Sequence, residues 1–171
     1  NGMSPSGEDD TSEMQATQAA AVARKHKDIV VGFKTAHYAG EGWNSVDGAI
    51  SAARETNLPI MVDFGYITLD RNLRTLLGDK MRAGDIYTHC YSGHRGELGE
   101  DGKTNPAFVA GRKRGVIFDV GHGGGSFYWN IAVPLTQQGF WPDSISTDLH
   151  TGSMNAGMKD MANIMSKFLA L

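Results

Sequence analysis

The sequence predicts an α/β fold with a parallel sheet, on three observations. Five short apolar runs recur along the chain, they begin about every 26 to 31 residues, and amphipathic stretches fill the intervals. The runs are "DIVVGFK", "PIMVDFG", "DIYTHC", "GVIFDVG" and "SISTDLH", with Ile29, Ile60, Ile86, Ile117 and Ile145 near their starts. Near-continuous apolar character marks strands covered on both faces, as in parallel sheets. A (β/α)8 barrel averages about 31 residues per unit, so the interval suits five such units. An open, doubly wound sheet of five strands also fits within 171 residues. Periodicity leaves both open.

The intervening stretches read as helices in turn. "TSEMQATQAAAVARKH" starts acidic and rich in Ser and Thr and ends basic, as a capped helix does. "SVDGAISAARETN" places Val46, Ile50 and Ala53 at helical spacing. "NPAFVAGRKRG" has proline early and glycine at its close. "FYWNIAVPLTQQG" and "NAGMKDMANIMSKFLAL" follow the same logic, with Pro134 expected to kink or shorten the former.

Composition narrows the function classes. A hydrophobic content of 40% and charged content of 20% describe a chain with a real core. A formal net charge of -3 gives no reason to expect nucleic acid or an anionic membrane as partner. No apolar run approaches the roughly 18 residues of a spanning helix. The single cysteine, Cys90, rules out an internal disulfide framework and leaves the compartment open, with the cytoplasm as default. The chain opens on "NGMSPSGEDD", with neither initiator Met nor signal-peptide pattern, and stops at "MSKFLAL" inside an apolar helix. A piece truncated at both ends is expected.

The chemistry gathers at the carboxyl ends of the strands, where both folds build their sites. Lys34, Asp63, His89 and Asp148 stand there on four of the five runs, and Asp119 lies late on the remaining one. Singly, each has a structural explanation: a snorkelling lysine, a capping aspartate, a hydrogen-bonded core histidine. Together they converge on one rim. Two carboxylates and an imidazole suit a divalent metal such as zinc. Lys34 fits such a set only as the neutral amine, which can take up carbon dioxide to form an anionic carbamate.

Lys34 in "VGFK", His89 in "YTHC", the glycine-rich "FDVGHGGGSF" and Asp148 in "ISTDLH" together resemble the amidohydrolase superfamily, nearest its deacetylase and dihydroorotase-like branch. The resemblance runs from Ile29 to Leu171 and corresponds to barrel strands four to eight. It implies that residues 1–171 are the C-terminal portion of one metal-dependent hydrolase barrel, a partial (β/α)8 TIM barrel. By position, Lys34 matches the carboxylated, metal-bridging lysine, His89 the sixth-strand ligand, and Asp148 the eighth-strand aspartate that touches metal and moves the proton. Asp63 stands where the family typically has histidine, so the set becomes Lys34, Asp63, His89 and Asp148. The His-x-His pair of the family's first strand has no counterpart in these residues.

The resemblance further implies one or two divalent metals, zinc with manganese or iron as options, and hydrolysis of an amide or ester of a small molecule. Asp148 serves there as general base and acid. His94, Arg95, His122, Gly123 and His150 are the residues expected to face substrate, with His122 polarising the carbonyl. His37, Tyr38 and Trp43 in "TAHYAGEGW" are further candidates for the pocket. A homo-oligomer is compatible. The rival is a doubly wound module whose "GHGGGSF" loop cradles a phosphate or nucleotide, although no P-loop lysine follows it.

Overall fold

The computed structural model describes residues 8–65 and 67–171. Four strands, β1 (Phe33–Thr35), β2 (Ile60–Val62), β3 (Ile86–Tyr87) and β4 (Ile117–Phe118), form one parallel sheet in the order β1-β2-β3-β4. A doubly wound sheet must reverse its strand order at a switch point. No reversal occurs here, and the strands succeed one another as consecutive units of a (β/α)8 barrel wall.

The register explains which side chains face where. Phe33, Ile60, Val62, Tyr87 and Phe118 alternate with Lys34, Met61, Ile86 and Ile117 across the paired strands. The first set joins the hydrophobic core beneath the helices. The second set is exposed or half-buried, as the inner wall of an incompletely closed barrel is. Asp63 lies two residues beyond Met61, on the face that carries Lys34.

Helices cover the outer face. α1 (Ala16–Lys25) buries Ala20 and Ala23 and ends on Arg24 and Lys25, cations that suit the negative end of the helix dipole. α2 (Asn44–Thr56) buries Val46, Ile50 and Ala53 and stops at Asn57, whose left-handed backbone closes the helix. The sequence did not announce α3 (Leu73–Thr75), which continues as a π-helical turn over Leu76–Lys80. α4 (Pro106–Lys113) begins with proline at its first turn and is capped by Asn105, whose side-chain oxygen accepts from the Ala107 amide at 2.9 Å. α5 (Trp129–Gln137) runs through Pro134 without ending there. α6 (Thr151–Met154) and α7 (Met161–Ala170), the latter capped by Asp160, complete the chain. Phe108, Phe118 and Phe140 pack ring against ring between α4 and the sheet, at centroid separations of 5.0 to 5.2 Å.

The fifth apolar run is less regular than expected. It touches β4 through a single parallel bridge, Asp119 to Ser144, and through amides of Val120, His122 and Gly123 donating to carbonyls of Ser144, Ser146 and Thr147. Its register is set by side chains. The buried carboxylate of Asp119 accepts hydroxyl hydrogen bonds from Thr88 at 2.7 Å and from Ser144 and Ser146 at 2.6 Å each. Asp119→Ala is expected to cost about 2–4 kcal/mol, since it abolishes three charge-assisted bonds at once. The local readout is hydrogen exchange at the Val120, His122 and Gly123 amides, which should lose protection before the core of β2 and β3 does.

Candidate active site at the carboxyl rim

Asp63 follows β2 directly and is 2% exposed. An unpaired carboxylate so placed would be prohibitively costly. Its Oδ1 accepts from the Arg95 guanidinium at 2.8 Å. Its Oδ2 lies 2.9 Å from Nε2 of His37 and 3.1 Å from Nε2 of His89. The two rings thus close around Oδ2. Burial pushes the Asp63 carboxyl up, but contact with His89 and the charges of His89, Arg95 and His37 outweigh it and hold it below the usual range.

Both imidazoles are fixed from their far side. Nδ1 of His89 faces the Gly121 carbonyl at 2.5 Å, and Nδ1 of His37 faces the Glu8 carboxylate at 3.1 Å. Carbonyl and carboxylate oxygens only accept, so each Nδ1 carries a proton. Nε2 of each ring then faces Oδ2 of Asp63. His37, His89 and Asp148 all hold left-handed backbone, with φ of 52°, 62° and 48°. Strain of this kind in non-glycine residues costs about 1–3 kcal/mol each and collects at functional sites.

The supporting residues explain local sequence choices. The loop after β1 is pinned by Arg71, whose guanidinium lies 4.7 Å from the Phe64 ring centroid and 5.0 Å from that of Tyr38. Arg71 also donates to the Tyr38 carbonyl at 2.9 Å. Arg95 additionally bonds the Phe64 carbonyl and, at 3.2 Å, the Ser92 hydroxyl. Buried Glu97 receives the Ser92 hydroxyl and the Arg95 amide, which shapes the turn that carries the guanidinium. The glycine loop passes close to both of the other ionisable side chains. A Cβ on Gly123 would stand 2.6 Å from Oδ2 of Asp148, and one on Gly121 would stand 2.6 Å from Nδ1 of His89. Both glycines also have positive φ. The tight turn thus serves the site by letting backbone pass where no side chain fits.

A cavity of about 250 Å³ is lined by His37, Asp63, His89, Arg95, Gly124, Gly125, Ser126, Asp148 and His150. Of the residues expected from sequence, the structure brings Asp63, His89, Asp148, Arg95 and His150 together here. Gly123 sits at the wall through Asp148. The other three lie elsewhere. Lys34 is exposed and lines a larger cavity between β1, α1 and α2. His94 stands edge-on to Tyr128 with Nε2 against the Gly125 carbonyl at 2.9 Å, so it braces the glycine loop. His122 is buried and stacked on Phe127. Its Nδ1 meets the Gly123 carbonyl and its Nε2 accepts from Lys167 at 2.7 Å, so neither nitrogen is left to polarise a substrate carbonyl. Burial, then the neighbouring Lys167 charge, lower the His122 pKa and keep the ring neutral for this bond. Sequence reasoning placed His37 near the pocket without a role and missed Glu8, Arg71 and Glu97. The one signal available was His37 standing three residues after Lys34.

The rim meets the needs of a divalent ion only in part. Among the described residues, no group of three or more His, Cys, Asp or Glu is arranged to hold a metal ion. Asp63 and His89, with Oδ2 and Nε2 in contact at 3.1 Å, are an oxygen and a nitrogen donor of the kind such an ion takes.

A sequential parallel sheet with ionisable side chains collected at its carboxyl rim is the architecture of a (β/α)-barrel wall. No protein-family model matches the chain. It is 40% identical over 121 residues to a deacetylase of Brucella anthropi and 36% identical over 121 residues to a deacetylase of Agrobacterium fabrum. Each match covers 70% of this chain and 29% of the relative. A deacetylase of Enterococcus faecalis is 28% identical over 166 residues, 92% of this chain and 44% of that protein. A crystal structure of an adenine deaminase superposes with a TM-score of 0.84 at 28% identity, and one of a dihydroorotase with 0.78 at 26%. Both cover 94% of this chain and 45% of the other. The chain belongs to the amidohydrolase superfamily, beside its deacetylase and dihydroorotase-like members. It spans less than half the length of the relatives it matches.

The charge balance at Asp63 sets an acid limit. Because its pKa is depressed on folding, its stabilising contribution is present above the ordinary aspartate value of about 3.9 and is lost as pH falls through the folded value. Arg95→Met removes part of that depression. In metal-free protein, urea midpoints of wild type and Arg95→Met should differ most near neutrality and converge on acidification below about pH 4.

Proposed function

We propose that the protein is a metal-dependent hydrolase that removes an acyl group from an amide or ester of a small molecule. The observation that carries this reading is the convergence of Asp63, His89 and Asp148 in one cavity. The deacetylase relatives support the acyl-amide reaction, and the cavity volume supports a small substrate.

Asp63, His89 and Asp148 would hold the metal. Lys34, which lines a different cavity, would have to turn toward them to join as a carbamate formed from its neutral amine and carbon dioxide with release of a proton. Lys34 pairs in register with Met61, one step below Asp63 on the same face, which supports its inclusion. A zinc, manganese or iron ion, when bound, supplies Lewis acidity to the substrate carbonyl and lowers the pKa of water.

The chain's own groups do the remainder. Asp148 is exposed at the mouth of the cavity, so its carboxylate can take a proton from the attacking water and return it to the leaving amine or alcohol. Its left-handed backbone and the bare Cα of Gly123 hold that carboxylate over the cavity. His150, beside it on the rim, presents an imidazole to the substrate. Arg95 is committed to Asp63, Phe64 and Ser92, so it positions Asp63 first and meets substrate only with what remains of its donors. Gly124 and Gly125 border the cavity, where a backbone amide can meet a developing oxyanion.

The test is a panel of N-acetyl amino acids, O-acetyl hydroxy acids and cyclic amides, assayed on the natural full-length protein with zinc and after chelation. Hydrolysis of at least one acyl compound, lost on chelation and restored by metal, is expected. Asp148→Asn should lower kcat about 10²–10⁴-fold while substrate still binds. Activity indifferent to chelation, or an Asp148→Asn enzyme with wild-type kcat, would overturn the reading.

A further inference from the structure

We propose that Asp119 is a positioning residue of the site: one oxygen of its carboxylate joins the strand that carries His89 to the run that carries Asp148, and so sets how the two face each other across the cavity. This rests on the hydrolase reading above and assigns a residue which that reading does not use.

The topology leaves His89 and Asp148 without a direct link. His89 follows β3, Asp148 ends the fifth run, and β4 lies between them. Asp119, directly after β4, reaches both ways from the middle. Its Oδ2 accepts from the Thr88 hydroxyl at 2.7 Å and from the Ser146 hydroxyl at 2.6 Å. Thr88 immediately precedes His89, and Ser146 stands two residues before Asp148. The two flanking elements therefore meet at a single atom.

On the His89 side the hold is double. The Cys90 amide donates to the Asp119 carbonyl at 3.1 Å, so Asp119 binds both the residue before His89 and the residue after it. His89 itself has left-handed backbone at φ 62°, which a non-glycine residue keeps only where its surroundings impose it. On the Asp148 side, the Ser146 hydroxyl donates to Asp119 while accepting from the Gly121 amide at 3.1 Å. The carbonyl of that same Gly121 lies 2.5 Å from Nδ1 of His89. The path from Asp119 through Ser146 and Gly121 thus returns to the imidazole and closes a circuit around it. A Cβ on Gly121 would strike both the Thr88 hydroxyl and the His89 imidazole, so the circuit is tightly closed.

Stability alone does not account for this choice. Asp119 is 3% exposed, and apolar residues of similar volume often hold a core at least as well as a buried charge does. What hydroxyls around a carboxylate add is direction, since a satisfied polar network specifies one arrangement. A reacting group needs that, because a misplacement of about 1 Å can cost about 10²-fold in rate. Ser144 differs from Thr88 and Ser146. It also donates to Asp119, at 2.6 Å, but to Oδ1, outside the path that leads to Gly121.

The test compares Thr88→Val, Thr88→Ser, Ser146→Ala and Ser144→Ala in the natural full-length protein. Kinetics are measured with zinc on an acyl compound that the wild type hydrolyses, and crystal structures are determined without metal. Thr88→Val and Ser146→Ala should each lower kcat about 10–100-fold with KM little changed. Thr88→Ser keeps the hydroxyl and should restore kcat. Ser144→Ala removes an equally short bond from the same carboxylate and should leave kcat near wild type. In the crystals, the separation of His89 and Asp148 should change by about 0.5 Å or more in Thr88→Val and Ser146→Ala, and not in Ser144→Ala. A merely structural Asp119 would make the three hydroxyl deletions alike, each lowering the urea midpoint and none lowering kcat. That pattern, or His89 and Asp148 unmoved in Thr88→Val and Ser146→Ala, would overturn the inference and leave the hydrolase reading standing. A wild type that hydrolyses no acyl compound would overturn the hydrolase reading, while the crystal structures still decide whether Asp119 places His89 and Asp148.

Discussion

Burying the carboxylate of Asp63 costs several kcal/mol unless opposite charge meets it, and the architecture of the carboxyl rim follows from how that charge is met. Arg95 approaches from the loop after β3 and satisfies one oxygen. To do so it must be held, and Ser92, Glu97 and the Phe64 carbonyl hold it. The second oxygen draws two imidazoles from separate loops, each fixed by an acceptor behind it. One buried charge therefore organises the ends of β1, β2 and β3 and, through Gly121, the loop that follows β4.

The glycine-rich "GHGGGSF" segment gains a physical meaning in this setting. Among known protein architectures such loops often cradle phosphate at a helix start. Here the glycines pass between two ionisable side chains, with Gly121 against His89 and Gly123 against Asp148. The histidine in the same segment turns inward, stacks on Phe127 and accepts from Lys167, so that it ties α7 to the barrel wall. A motif that reads as a binding loop is thus partly a clearance and partly a tie.

The sheet was legible because its apolar runs are close to continuous and evenly spaced, and four of the five became paired strands. The fifth escaped regular form because Ser144 and Ser146 spend their hydroxyls on Asp119 rather than on packing. The π-helical turn at Leu76–Lys80 escaped because apolar periodicity does not encode how a helix unwinds. Within the site, Asp63, His89 and Asp148 were legible from position at strand ends, since strand ends of a parallel sheet share a rim. Lys34 was legible as an inner-face residue, yet the structure keeps it exposed by a different cavity. The partnership of His37 with Glu8 was not legible, because it joins residues on two separate segments through a left-handed turn. His122 misled for the opposite reason: a histidine among glycines looks exposed, and here it is buried.

The most direct measurement is anomalous X-ray scattering on crystals of the natural full-length protein grown with zinc, with data collected on both sides of the zinc absorption edge. The metal-dependent reading is expected to give an anomalous peak in the cavity shared by Asp63, His89 and Asp148. A structure with zinc in the crystallisation medium, no peak at this position, and Asp63 still flanked by the two rings would contradict that claim.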